Sequence, residues 1–160
     1  MRFRAAARAH PEVIVFGLFR SDAVARTELH GHFSGSDRNF VAEIMLHGPA
    51  VMAGTSEFYL REHPNRSVRT YRRRGKNRFT HARDAWYAPE RKGRIVFPSW
   101  RRLGGYIKSV RRTKLGAGES LRCYVAILKL LSDDGFKLTK QLAYDIVTAA
   151  VSLARRLRRA

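Results

Sequence analysis

Apolar positions change their spacing twice along the chain, and the predicted elements change with them. Residues 12–20 (Glu-Val-Ile-Val-Phe-Gly-Leu-Phe-Arg) are β-branched and aromatic behind Pro11, which predicts a buried strand. Ser21 and Asp22 can cap a short helix running to residue 29, and Gly31, Ser34, Gly35, Ser36 and Asp37 supply a loop. In 39–47 Phe40, Ile44 and His47 share a helical face and no clean alternation competes, so a helix is expected, stopped by Gly48-Pro49. Thr55 can cap another short helix over 56–63, ended by Pro64.

Period two appears next. Over 67–72, Val68 and Thr70 alternate with Arg69 and Tyr71; residues 74–77 (Arg-Gly-Lys-Asn) read as a turn, and 78–83 returns. A second pair, 85–88 and 94–97, flanks the turn Pro89-Glu-Arg-Lys-Gly93. Beyond Pro98 the spacing is helical again. Leu103, Ile107 and Val110 predict one helix, and Leu121, Val125, Leu128 and Leu131 predict a second over 118–131. A turn at 132–135 (Ser-Asp-Asp-Gly) separates these from a long helix capped by Thr139 and reaching about residue 159, with Leu142, Ile146, Ala150, Leu153 and Leu157 on one stripe.

The fold expected from this order is α+β. A central basic antiparallel β-meander is flanked by an N-terminal strand with short helices and by a C-terminal helical layer. A chain of 160 residues, 44% hydrophobic, fits a single domain, 1–160, with a β-rich basic segment at 61–114 and a helical segment at 118–159.

Charge is what gives the meander a function. Residues 61–114 hold 18 Lys/Arg against 3 acids, a net of +15 out of +19 for the chain. Residues 1–60 balance 6 against 6, and 115–160 hold 8 against 4. With a pI of 11.3 the excess persists at any cellular pH. Such a concentration points to a polyanion, above all nucleic acid. In the first hairpin Arg69, Arg72, Arg73, Arg74, Lys76 and Arg78 are the candidate phosphate contacts, and Tyr71 and Phe79 the candidate stacking rings. Trp86, Phe97 and Trp100 are expected mostly in the core. RNA or a nucleoprotein assembly ranks above sequence-specific DNA, because the basic surface is broad and no recognition helix carries base-reading Asn or Gln. The chain is expected to act without a cofactor, as a homo-oligomer or part of such an assembly.

The order of two basic hairpins and a helix over 67–114 resembles the three-stranded-sheet-plus-helix DNA-binding modules at the front of some tyrosine recombinases and in some plant transcription factors. The likeness rests on element order and on a basic first turn, and not on a motif. No recombinase catalytic set is present, and no residue role is carried over.

Other candidate chemistry is sparser. His30-Gly-His32, with Asp37 and His47, has the ligand types of a metal site. A His-x-His pair also resembles nicking relaxases, which need a bulky apolar residue where Gly31 stands and a nucleophilic tyrosine, for which Tyr106 and Tyr124 are the candidates. Asp84 with Glu90-Arg-Lys92 resembles the metal-dependent nuclease triad, but Pro89 and Gly93 make that stretch a turn. A nuclease or nicking enzyme, and a structural protein with an acidic partner, are therefore the alternatives. Cys123 is the only cysteine, which excludes an intrachain disulfide and a cysteine-based zinc site, and agrees with a reducing cytoplasm. It lies in an apolar context and is expected in the core. The longest apolar run, 13–19, falls far short of the roughly 20 residues of a spanning helix, and no membrane partner is expected. The first ten residues lack the hydrophobic stretch of a secretory signal.

Overall fold

Every regular element among the described residues is helical, so the expected α+β meander is replaced by helix-on-helix packing. The computed structural model describes residues 2–9, 12–51, 54, 59, 63, 87–91 and 97–157. Its helices are α1 (Arg2–Ala9), α2 (Ser21–Val24), α3 (Ser36–His47), α4 (Pro98–Arg112) and α5 (Ala117–Leu157). Two 3₁₀ turns lie at Glu12–Phe16 and Pro89–Arg91. The first predicted hairpin, 67–83, falls outside the described residues. The expected turn of the second is the 3₁₀ turn at Pro89–Arg91.

The four longer helices close a ring: α1 on α3, α3 on α4, α4 on α5 and α5 back on α1. One apolar cluster fills it. Phe3 and Ala6 of α1 meet Phe40, Val41, Ile44 and Met45 of α3, Tyr106 and Val110 of α4, and Cys123, Ala126 and Ile127 of α5. Phe3 stands edge-on to Tyr106 with ring centroids 5.8 Å apart, a favoured geometry for an aromatic pair.

α3 is enclosed on several sides. All residues from Asn39 to Met45 are buried, which is why its sequence shows no single clean apolar stripe. Its start follows Gly35, whose φ of +88° lies in the left-handed region that glycine enters without cost. Its end is the predicted Gly48.

The predicted strand at 12–20 is instead a 3₁₀ turn, closed by a bond from the Gly17 amide to the Ile14 carbonyl of 3.0 Å. Ile14 and Val15 pack on the core while Leu18 is fully exposed. The run gains its burial from α3 and needs no neighbouring strand. α2 stops at Val24, well short of residue 29. No side chain caps it; Asp22 instead accepts from Arg20 (3.2 Å) and Arg26 (3.0 Å).

The helix expected beyond Pro98 is present as α4 and begins at Pro98 itself, where the missing N–H costs nothing. α5 corrects a further expectation: the turn at 132–135 does not exist, and one helix of 41 residues runs through it. Thr139 does not cap; its hydroxyl donates back to the Gly135 (3.0 Å) and Phe136 (3.1 Å) carbonyls inside the helix. The stripe is inverted as well. Cys123, Ala126 and Ile127 face inward, while Leu121, Val125 and Leu128 face out.

The crossing of α3 and α4 is tight at one glycine of a pair. A Cβ on Gly105 would fall 2.1 Å from Asn39 Nδ2, whereas one on Gly104 meets nothing within 4 Å. Asn39 cannot simply swing away, because Nδ2 donates to the Arg102 carbonyl at 2.9 Å. The two alanine substitutions should therefore differ in sign. Gly104→Ala is expected to stabilise by about 0.5–1 kcal/mol through helix propensity. Gly105→Ala is expected to destabilise by about 1–3 kcal/mol through overpacking and loss of that bond. Urea unfolding of both variants measures the difference.

Candidate functional site

Of the basic stretch 61–114, the described residues contain 63, 87–91 and 97–114. Arg69, Tyr71, Arg72, Arg73, Arg74, Lys76, Arg78 and Phe79 all fall outside them, as do Asp84, Trp86 and Lys92. Phe97 and Trp100 are half-buried at the start of α4.

The cations of α4 and of the residues just after it divide by what they touch. The Arg101 guanidinium lies over the Phe33 ring, 4.9 Å from its centroid, a cation–π contact. Arg112 turns inward, donating through NH1 to Glu43 Oε1 at 2.9 Å and through NH2 to Glu28 Oε2 at 2.8 Å. Lys108, Arg111 and Lys114 are exposed, and none of them forms an ion pair among the described residues. They lie within about two turns of chain, and no described acid neutralises them.

Between the 28–33 loop and the faces of α3 and α4 is a cleft of about 520 Å³. Its polar lining comes from Glu28, His30, His32, Asn39, Arg101 and Lys108. Gly31 narrows the loop: a Cβ there would come 2.6 Å from the Phe33 ring. Glu43 closes the inner wall. It is 2% exposed, and besides Arg112 it accepts from the Glu28 amide at 3.4 Å. A carboxylate so placed is tolerated only with its charge matched. An acid inside the apolar run Phe40-Val-Ala-Glu-Ile-Met was the available sequence signal for a buried, paired charge.

Among the described residues the other candidate chemistry does not assemble. No three His, Cys, Asp or Glu side chains among the described residues come together as a metal-holding group. His30 and His32 are exposed, and the His30 ring leans on Phe40 with centroids 5.0 Å apart. His47 lies at the far end of α3, with its Nε2 sealed from solvent and without a hydrogen-bond partner. Glu90 is exposed on the second 3₁₀ turn. Tyr106 is a core residue whose hydroxyl is pushed above its ordinary value by burial. Cys123 is in the core as expected, and burial raises its thiol too, with Glu119 adding to the effect. Neither is poised as a nucleophile.

Searches with protein-family models, through curated proteins and through solved structures find no match to this chain.

Two outcomes test the electrostatics. Arg112→Met leaves Glu43 charged and buried and should cost roughly 3 kcal/mol, whereas Glu28→Gln, whose side chain is 59% exposed, should stay within about 0.5 kcal/mol of the parent. Adding Glu43→Leu to Arg112→Met should recover most of the loss, which chemical denaturation would register as strong coupling. The second concerns pH. Burial first, then Arg26, lower the His47 pKa from its ordinary 6.5, against a smaller opposing effect of Glu43. The unfolded chain therefore binds this proton more readily than the folded one. The stabilisation is complete above pH 6.5 and is lost as pH falls through the lower folded value. His47→Phe should flatten the fall in melting temperature between neutral and mildly acidic pH.

Proposed function

We propose that this protein binds nucleic acid without acting on it chemically, gripping the phosphate backbone through its basic middle third in the cytoplasm. The observation that carries the reading is the concentration of charge, +15 over residues 61–114 against zero over 1–60. α4 adds support from geometry. Lys108, Arg111 and Lys114 stand exposed at the end of that stretch and form no ion pair among the described residues, while Arg112, paired with Glu43 and Glu28, serves the core. The exposed face of α4 carries Lys and Arg and no Asn or Gln, the composition of a backbone contact that reads no base.

The proposal does not involve a sheet. Arg69, Arg72, Arg73, Arg74, Lys76 and Arg78 remain the proposed phosphate contacts, with Tyr71 and Phe79 as stacking rings, by virtue of their density in the sequence. The buried thiol of the single cysteine accords with a reducing compartment.

Titration of single-stranded RNA, single-stranded DNA and duplex DNA at two salt concentrations, with Mg²⁺ or with EDTA, tests the reading. Affinity should fall log-linearly with salt, be indifferent to EDTA, and leave the strands intact. The Arg72→Ala/Arg73→Ala/Arg74→Ala triple variant should lower the salt slope on single strands by about 2, at roughly 0.7 per lost phosphate contact. Absence of binding at low salt to all three ligands would overturn the proposal, and cleavage with Mg²⁺ would replace it with the nuclease alternative.

A further inference from the structure

We infer that the outer face of α5 lies on an anionic lipid surface as an interfacial helix, a contact separate from the nucleic-acid surface. The observation is an exposed apolar line on the side of α5 turned away from the helical core. Leu121, Val125, Leu128, Phe136, Ile146 and Val147 are 45–81% exposed. Spacings of three, four or multiples of a turn put them on one face, and Ser132, Thr139, Ala143 and Ala150, which complete the line, are small and uncharged. From Leu121 to Val147 this face extends about 40 Å at 1.5 Å per residue. An apolar surface of that length is a docking surface and not scattered exposure.

Charge decides what covers it. Arg122, Lys129 and Lys140 follow one edge of the line at intervals of seven and eleven residues, two and three turns. All three are exposed and none forms an ion pair among the described residues. Asp133, on the same edge, is already taken by Arg8 at 3.5 Å. Apolar residues bordered by cations are the pattern of a helix lying at the headgroup boundary, its Lys and Arg reaching phosphates while the aliphatic face sinks among the acyl chains. A second copy fits worse, because each chain carries +19 and the edge offers no free acid to receive a partner's lysine. No helix among the described residues is long and apolar enough to cross a membrane, so the contact is one of lying on the surface.

The test is co-flotation of the full chain with phosphatidylcholine vesicles, with and without roughly 30 mol% phosphatidylserine, a charge in the range of an anionic leaflet. The parent should float with the anionic vesicles and at least tenfold less with the neutral ones. Leu128→Glu/Phe136→Glu, both at exposed positions, should keep its melting temperature and its nucleic-acid affinity but lose at least tenfold in flotation. Lys129→Glu/Lys140→Glu should lose the dependence on phosphatidylserine. Absence of flotation by the parent would overturn the inference. So would equal flotation by Leu128→Glu/Phe136→Glu, which would assign lipid contact to residues 61–114 alone. Sedimentation equilibrium without lipid provides the third arm: a dimer dissolved by Leu128→Glu/Phe136→Glu would mean that a second copy covers the face.

Discussion

A carboxylate sealed among helices sets the terms for the rest of the core. Glu43 sits in the middle of α3, where the neighbouring positions are occupied by Phe40, Val41, Ile44 and Met45, and its charge has no access to water. The match comes from the last turn of α4 through Arg112, where a cation is also favoured by the helix dipole. Near the start of α4, the Asn39 amide holds the Arg102 carbonyl and fills the space left by Gly105. These two polar contacts fix how α3 and α4 cross, while the apolar cluster with α1 and α5 supplies bulk burial. Arg112 extends the fix to the 28–33 loop by gripping Glu28, so the wall of the cleft and the packing of the core rest on the same guanidinium.

This division of labour among the arginines bears on function. Arg112 is used up internally and Arg101 is laid on Phe33, whereas Lys108, Arg111 and Lys114 form no ion pair among the described residues. A protein with 32 basic and 13 acidic side chains cannot neutralise itself, and the excess is concentrated in the sequence at 61–114. The apolar line on α5 is a second unsatisfied surface, with different chemistry and on a different element. The two need not share a partner: one surface is dominated by charge, the other by apolar area with a cationic border.

Legibility in the sequence followed how one-sided each element is. α4 was readable because Pro98 starts it and Leu103, Ile107 and Val110 give it one face. Burial of Cys123 was readable from its apolar context. α3 was harder, since a helix enclosed on several sides has no stripe to detect. The strand expected at 12–20 failed because β-branched residues signal burial against something, and here that something is a helix. The break expected at 132–135 failed because Asp and Gly weaken a helix only by amounts that a long packed one absorbs. The core stripe on α5 was assigned to the largest aliphatics, yet the tight inner face accepts Cys123 and Ala126. The cleft was legible only in part. His30 and His32 stood out as ligand types, but the Glu43–Arg112–Glu28 connection spans 84 residues of sequence, and no local pattern encodes it.

The most direct measurement of the central claim is a map of where nucleic acid touches the chain. Single-stranded RNA carrying photoreactive uridines, cross-linked to the full protein and read by mass spectrometry, should place adducts within residues 61–114, including Tyr71 or Phe79 and Lys108–Lys114 at and just beyond the end of α4. Adducts confined to residues 1–60 or to α5, with none in that stretch, would contradict the account.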